Sequence, residues 1–141
     1  MKPLSFLPIA ILFITISCGT SGTKEECKTD DCLKQKAYDK VIAVHDDVMP
    51  KLSQIAALKG EIEEQINTSQ DSLEIAIWHE VMLGLDVADE AMWAWMRQFN
   101  SDLEDVEIKE ALAYLKEEQK KIDTVAKKIN NALEKAEASI E

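Results

Sequence analysis

The sequence predicts an all-α protein: an antiparallel, up-down-up three-helix bundle with coiled-coil-like seams, occupying residues 31–141. Three observations predict it. Apolar residues recur in steps of three and four over three long stretches after Asp31. Among strong helix breakers only Pro50, Gly60 and Gly84 fall in this region, and no alternating run marks a strand. Short polar connections separate the stretches, which favours antiparallel neighbours.

The first helix is expected from about Asp31 to Ile66, with Val41, Val44, Val48, Leu52, Ile55, Leu58, Ile62 and Ile66 along one face. Pro50 lies inside it. Proline removes a backbone donor and crowds the carbonyl four residues back, here that of Asp46, so a kink is expected. Asn67-Thr68-Ser69-Gln70 is a run of turn and cap formers that ends the helix.

Asp71-Ser72-Leu73-Glu74 reads as a capping box, with Asp71 at the N-cap and Glu74 answering three residues later. The second helix then carries Trp78, Val81, Leu85, Ala88, Met92, Trp95 and Phe99 and stops near Asn100. Ser101 and Glu104 offer a second capping pair for the third helix. Its stripe is Ile108, Leu112, Leu115, Gln119, Ile122, Ala126, Ile129, Leu133, Ala136 and Ile140, every step four or three. Gln119 is the one polar member, read either as a register device or as a residue at the wet edge of the seam.

Residues 1–17 read as a signal peptide: Lys2, an uncharged stretch from Leu4 to Ser17, then Cys18. That stretch is too short to span a bilayer, which takes ~20 residues. A small residue before cysteine resembles a bacterial lipobox, with Cys18 expected to carry a covalent lipid; Thr15 stands where the pattern usually has Leu. Residues 18–30 read as a lipidated tether. Within it Lys24-Glu25-Glu26 resembles a surface-export signal of some Bacteroidetes lipoproteins. The expected location is therefore the cell envelope, anchored at the outer membrane, facing the periplasm or the outside. Cys27 and Cys32 are the other two cysteines. In an exported chain an even pair close in sequence is most simply a disulfide, here a staple of tether to first helix.

The formal net charge of −11 at pH 7 argues against nucleic acid as a partner, since that binding is dominated by cationic contacts to phosphate. It also disfavours adsorption to anionic lipid, which leaves the acyl chains on Cys18 as the membrane attachment.

Folding the first two helices about a turn near residue 69 places His45 opposite about Trp93. Two chemically unusual stretches, His45 to Met49 and Asp86 to Phe99, then meet at one level. His45, Met49, Met92 and Met96 form an imidazole and thioether set of the kind that suits Cu(I). Methionine packing into an irregular gap at the kink explains the same residues without a metal. A hard-metal site from Asp46, Asp47, Asp86, Asp89 and Glu90 is disfavoured, because calcium wants six to eight oxygens and flexible loops. Trp93 falls off the apolar stripe one turn from Arg97, so Trp93, Met96 and Arg97 form a candidate partner surface with a cation–π contact within it. His79 reads as plain surface.

Val44 to Lys51 and Ala88 to Phe99 give the chain its likeness to known proteins. They match a Val-His-Asp-acid-Val-Met-Pro-Lys segment and an Ala-Asp-Glu-Ala-Met-x-x-Trp-Met-x-x-Phe segment. By these the chain resembles a family of small Bacteroidetes lipoproteins that carries the misleading label "viral A-type inclusion protein". The resemblance implies a helical lipoprotein and no established activity.

Two classes of function follow. The first is non-catalytic: a lipid-anchored bundle that binds an unknown envelope protein or acts as a spacer. The second is Cu(I) handling by His45, Met49, Met92 and Met96. No enzyme is expected, because neither histidine has a nucleophile at its level and no Gly-rich phosphate loop is present.

Overall fold

The computed structural model describes residues 29–140, so the expected signal peptide, Cys18, Cys27 and most of the tether lie outside the described residues. Four helices follow in order: α1 (Asp30–Val48), α2 (Lys51–Thr68), α3 (Ser72–Gln98) and α4 (Ile108–Ile140). The described residues contain no strand. α1 and α2 are two halves of one bent rod, and the result is the expected three-helix bundle.

The bend sits at Met49-Pro50. Both residues keep right-handed helical angles, with φ −56° and ψ −41° at Met49 and φ −61° and ψ −24° at Pro50. The Met49 N–H donates to His45 O at 2.8 Å and closes α1. Beyond the proline, Leu52 and Ser53 each donate three residues back, to Met49 O and Pro50 O at 3.2 Å. This tightened turn lets the chain pass the ring without leaving helical space.

Register follows from the inter-helix bonds. Lys51 Nζ donates to Asn130 Oδ1 at 2.8 Å, 79 positions on, and Lys34 Nζ to Leu103 O just before α4, so the α1–α2 rod runs parallel to α4. Trp95 Nε1 donates to Glu118 Oε2 at 2.9 Å and Trp78 Nε1 to Ser139 O at 3.1 Å, a pairing that fixes α3 antiparallel to α4. Lys59 and Asp86 tie α2 to α3.

The Asp71 cap forms as expected, its carboxylate accepting from Leu73 N at 2.8 Å and Glu74 N at 3.3 Å. The return half of the box closes through a third residue. Ser69 Oγ accepts from Asp71 N at 3.0 Å and donates to Glu74 Oε2 at 3.2 Å. Ser69 thus satisfies a donor that the shorter box would leave to Glu74 alone.

The start of α4 corrects the Ser101–Glu104 expectation. α4 is capped by Glu107, whose Oε2 accepts from Lys109 N at 2.9 Å and Glu110 N at 3.3 Å. Residues 99–107 instead form a loop held by buried Leu103 and by Lys34 Nζ, which donates to Leu103 O at 2.9 Å. An apolar plug and a captured carbonyl make that segment a lid over the end of α1 rather than a first helical turn.

The buried face of α4 is also displaced. Leu115, Ile122, Ile129, Leu133 and Ala136 are buried as expected, and the rest of the buried set is Ala111, Glu118, Val125 and Ala132. Leu112, Gln119 and Ala126 are half-buried. A helix packed against two neighbours needs a wider apolar face than one seam, and α4 touches α3 on one side and the α1–α2 rod on the other. Ile55, Ile62, Leu85, Met92, Leu115, Ile122 and Ile129 are the largest fully buried side chains. Each contributes roughly 1.5–3 kcal/mol by burial.

Candidate functional site

The bend in the first rod and the C-terminal half of α3 do meet. His45, near the end of α1, places Nε2 at 3.3 Å from Met96 Sδ and sets its ring 5.8 Å from that of Trp95 at a tilt of 35°. The opposing residues are thus Trp95 and Met96, two to three positions beyond the Trp93 of simple turn arithmetic. On its other side His45 Nδ1 lies 2.9 Å from Asp46 Oδ1. When Nδ1 donates to that carboxylate, a neutral imidazole presents the Nε2 lone pair to the thioether. When both nitrogens carry protons, Nε2 donates to sulfur instead.

Of the other two proposed sulfur ligands, Met92 is completely buried and Met49 is half-buried against the core. Among the described residues no group of three or more His, Cys, Asp or Glu side chains is placed to hold a metal. His79 is exposed, as expected.

An aromatic cluster extends from His45 into the bundle. Trp95 and Phe99 stack with centroids 4.8 Å apart, and Phe99 also meets Tyr38 at 5.9 Å and Tyr114 at 6.2 Å. Tyr114 Oη accepts from Asn100 N at 2.7 Å and so anchors the loop that leaves α3. Beneath this cluster lies the carboxylate of Glu118, only 2% exposed. It accepts from the Trp95 indole at 2.9 Å and from Lys121 Nζ at 2.6 Å. Its hydrogen bond and charge hold the Lys121 ammonium above the ordinary lysine value of 10.5. The sequence offered one signal for Glu118: a tryptophan in an apolar stripe needs an acceptor for its N–H.

Trp93 is 43% exposed and donates Nε1 to Asp89 Oδ1 at 3.2 Å, one turn back. Arg97 pairs with Glu90. Each of the two expected cation–π partners is therefore turned to its own carboxylate. Met96 is half-buried and belongs with His45 more than with Trp93.

The sequence reading missed a larger feature on another flank of α3. Leu73, Ile77, Leu83 and Val87 are exposed, Leu83 by 63% and Val87 by 53%. Leu83 and buried Leu85 are two residues apart, roughly 200° of helix rotation, so one faces solvent and the other the core. Beside this ridge a groove of about 630 Å³ runs between α3 and α4, lined by Ile77, Leu83 and Val87 and by Ala132 and Lys135. None of the described helices is long and apolar enough to cross a membrane. No family model, curated protein or solved structure matches this chain.

Proposed function

We propose that this protein is a non-catalytic interaction module of the cell envelope, held at the outer membrane by lipid on Cys18, that presents α3 to a partner protein. One observation carries the reading. Among the described residues, four of the six exposed large apolar side chains, Leu73, Ile77, Leu83 and Val87, share one flank of α3. Isolated exposed apolar residues are ordinary, but several concentrated on one helix mark an interaction surface. The lipobox-like Cys18 and the family resemblance support the envelope address.

A photo-crosslinking residue placed at Leu83 tests it in cells. An adduct with an envelope protein is expected, and the same probe at Glu61 on the exposed side of α2 serves as the control. Leu83→Glu together with Val87→Glu abolishes partner capture while the urea midpoint holds. Capture that survives both substitutions excludes this ridge as the docking surface.

A second reading rests on the 3.3 Å approach of His45 Nε2 to Met96 Sδ. A nitrogen and a soft sulfur this close can share one Cu(I) ion, and Asp46 on Nδ1 would orient the ring as a carboxylate does behind many metal-bound histidines. Met49 and Met92 are the further donors. Anaerobic Cu(I) titration against a competing chelator decides it: one-to-one binding lost in His45→Ala supports the site, and unaltered affinity removes it.

A further inference from the structure

The outer groove between α1 and α4 has a character opposite to the rest of the molecule. It encloses about 470 Å³ over a floor of Leu33, Ala37, Leu112 and Leu115. Its rim is Lys36 and Lys40 on α1 and Lys116 and Lys120 on α4. Four of nine lining residues are lysines and none is acidic, in a chain where 27 acidic residues outnumber 16 basic ones. Among the described residues only Lys120 of the four forms an ion pair, with Glu117 at 2.7 Å. Each lysine pair is spaced i, i+4, so both helices set two ammonium groups one turn apart along the same edge.

The floor matches that rim. Leu33 is 41% exposed on the outer side of α1, although an apolar residue of that size gains by burial. Gln119 supplies a third kind of contact. Its Nε2 donates to Asp123 Oδ1 at 2.9 Å, and its Oε1 is buried without a hydrogen-bond partner. An unpaired buried acceptor is costly, and a small turn of the Gln119 amide towards the groove would let a ligand's donor meet it.

We infer that this groove binds a single-chain anionic phospholipid of the lysophosphatidylglycerol type. The acyl chain lies on Leu33, Ala37, Leu112 and Leu115, the phosphate is held by the lysines, and a glycerol hydroxyl donates to Gln119 Oε1. A fatty acid carboxylate matches the lysines but carries no hydroxyl for Gln119, and a neutral lipid leaves the lysines without a counter-charge. The site lies away from the exposed α3 ridge and does not depend on it.

The test is fluorescence anisotropy of labelled lysophosphatidylglycerol, below its micelle concentration, with the purified mature protein. Saturable one-to-one binding is expected, weakening as salt rises. Lys36→Glu with Lys116→Glu lowers affinity by about tenfold or more, each lysine being a phosphate contact. Leu112→Ala, which removes floor and leaves the charge unchanged, weakens binding as well, and circular dichroism confirms that both variants stay folded. Equal affinity for lysophosphatidylcholine, or full competition by inorganic phosphate, overturns the assignment. Displacement of the probe by an acidic amphipathic peptide at lower concentration also overturns it and makes the groove a protein-docking site.

Discussion

Trp95 and Glu118 are joined across the interior of the bundle by a 2.9 Å hydrogen bond from indole nitrogen to carboxylate oxygen. The pair links α3 to α4 where the aromatic cluster is densest. A carboxylate taken out of water is costly unless its oxygens are met, and here the second oxygen accepts from Lys121. With the bond from Trp78 Nε1 to Ser139 O nearer the other end, it fixes the relative register of two helices whose remaining packing is largely apolar and non-directional.

Glu118→Ala leaves the Trp95 N–H buried without an acceptor and should destabilise the bundle by about 1–3 kcal/mol. Glu118→Gln retains an acceptor and should cost less. Urea unfolding followed by circular dichroism at pH 7 measures both, and a more stable alanine variant would show that the pair is no register device.

The displaced face of α4 gives a second test. Ile122→Ala at a fully buried position should lose about 2–5 kcal/mol. Leu112→Ala, at the half-buried edge of the α1–α4 groove, should lose clearly less. Equal losses would restore the narrower stripe centred on Leu112, Gln119 and Ala126.

Lys59 carries a pH prediction. The hydrogen bond to Asp86 and the nearby charges of Asp86, Asp89 and Glu63 raise its ammonium above 10.5, against the opposing effect of burial. A raised folded-state value means the contribution is fully present below the unfolded lysine value and lost as pH climbs through the folded one. Stability at pH 7–9 should therefore exceed that above about pH 11. Lys59→Met should remove part of this difference, less than about 1 kcal/mol for a largely solvated pair. Unfolding midpoints across pH 8–11.5 measure it, and a variant with the same alkaline slope as the parent would contradict it.

Pro50→Ala should change stability by less than about 1 kcal/mol. Alanine restores a backbone donor to the bend, worth about 0.5–1.5 kcal/mol. It also frees the unfolded chain, which offsets about 0.4–1 kcal/mol, because Pro50 already sits at a relaxed φ of −61°. A loss above 3 kcal/mol would mean the core depends on the bend itself.

Much of the fold was legible because local rules agreed. The steps of three and four through Val41 to Ile66 and Trp78 to Phe99, the ring of Pro50 and the side chain of Asp71 all point to one arrangement. α4 was harder for a definite reason. Two stripes, one through Leu112, Gln119 and Ala126 and one through Ala111, Glu118 and Val125, are one residue apart and share Leu115, Ile122, Ile129 and Ala136. Spacing cannot separate them, and a glutamate beside Gln119 reads as solvent-facing until a buried indole claims it. The meeting of His45 with α3 was legible to within two or three residues; the rest depended on the bend and the loop. The exposed flank of α3 was not read because Leu73, Ile77, Leu83 and Val87 do not follow the period of the core stripe.

Parallel pairing of the first rod with α4 has a kinetic consequence. The α2–α3 and α3–α4 hairpins join neighbours in the chain, whereas Lys51 and Asn130 meet across 79 residues. Closing so long a segment costs more chain entropy than either hairpin and is recovered only when the seam completes. The hairpins thus assemble first, and α1 docks onto a preformed surface. Amide protons of α1 should then exchange through partial opening, ahead of those in α3.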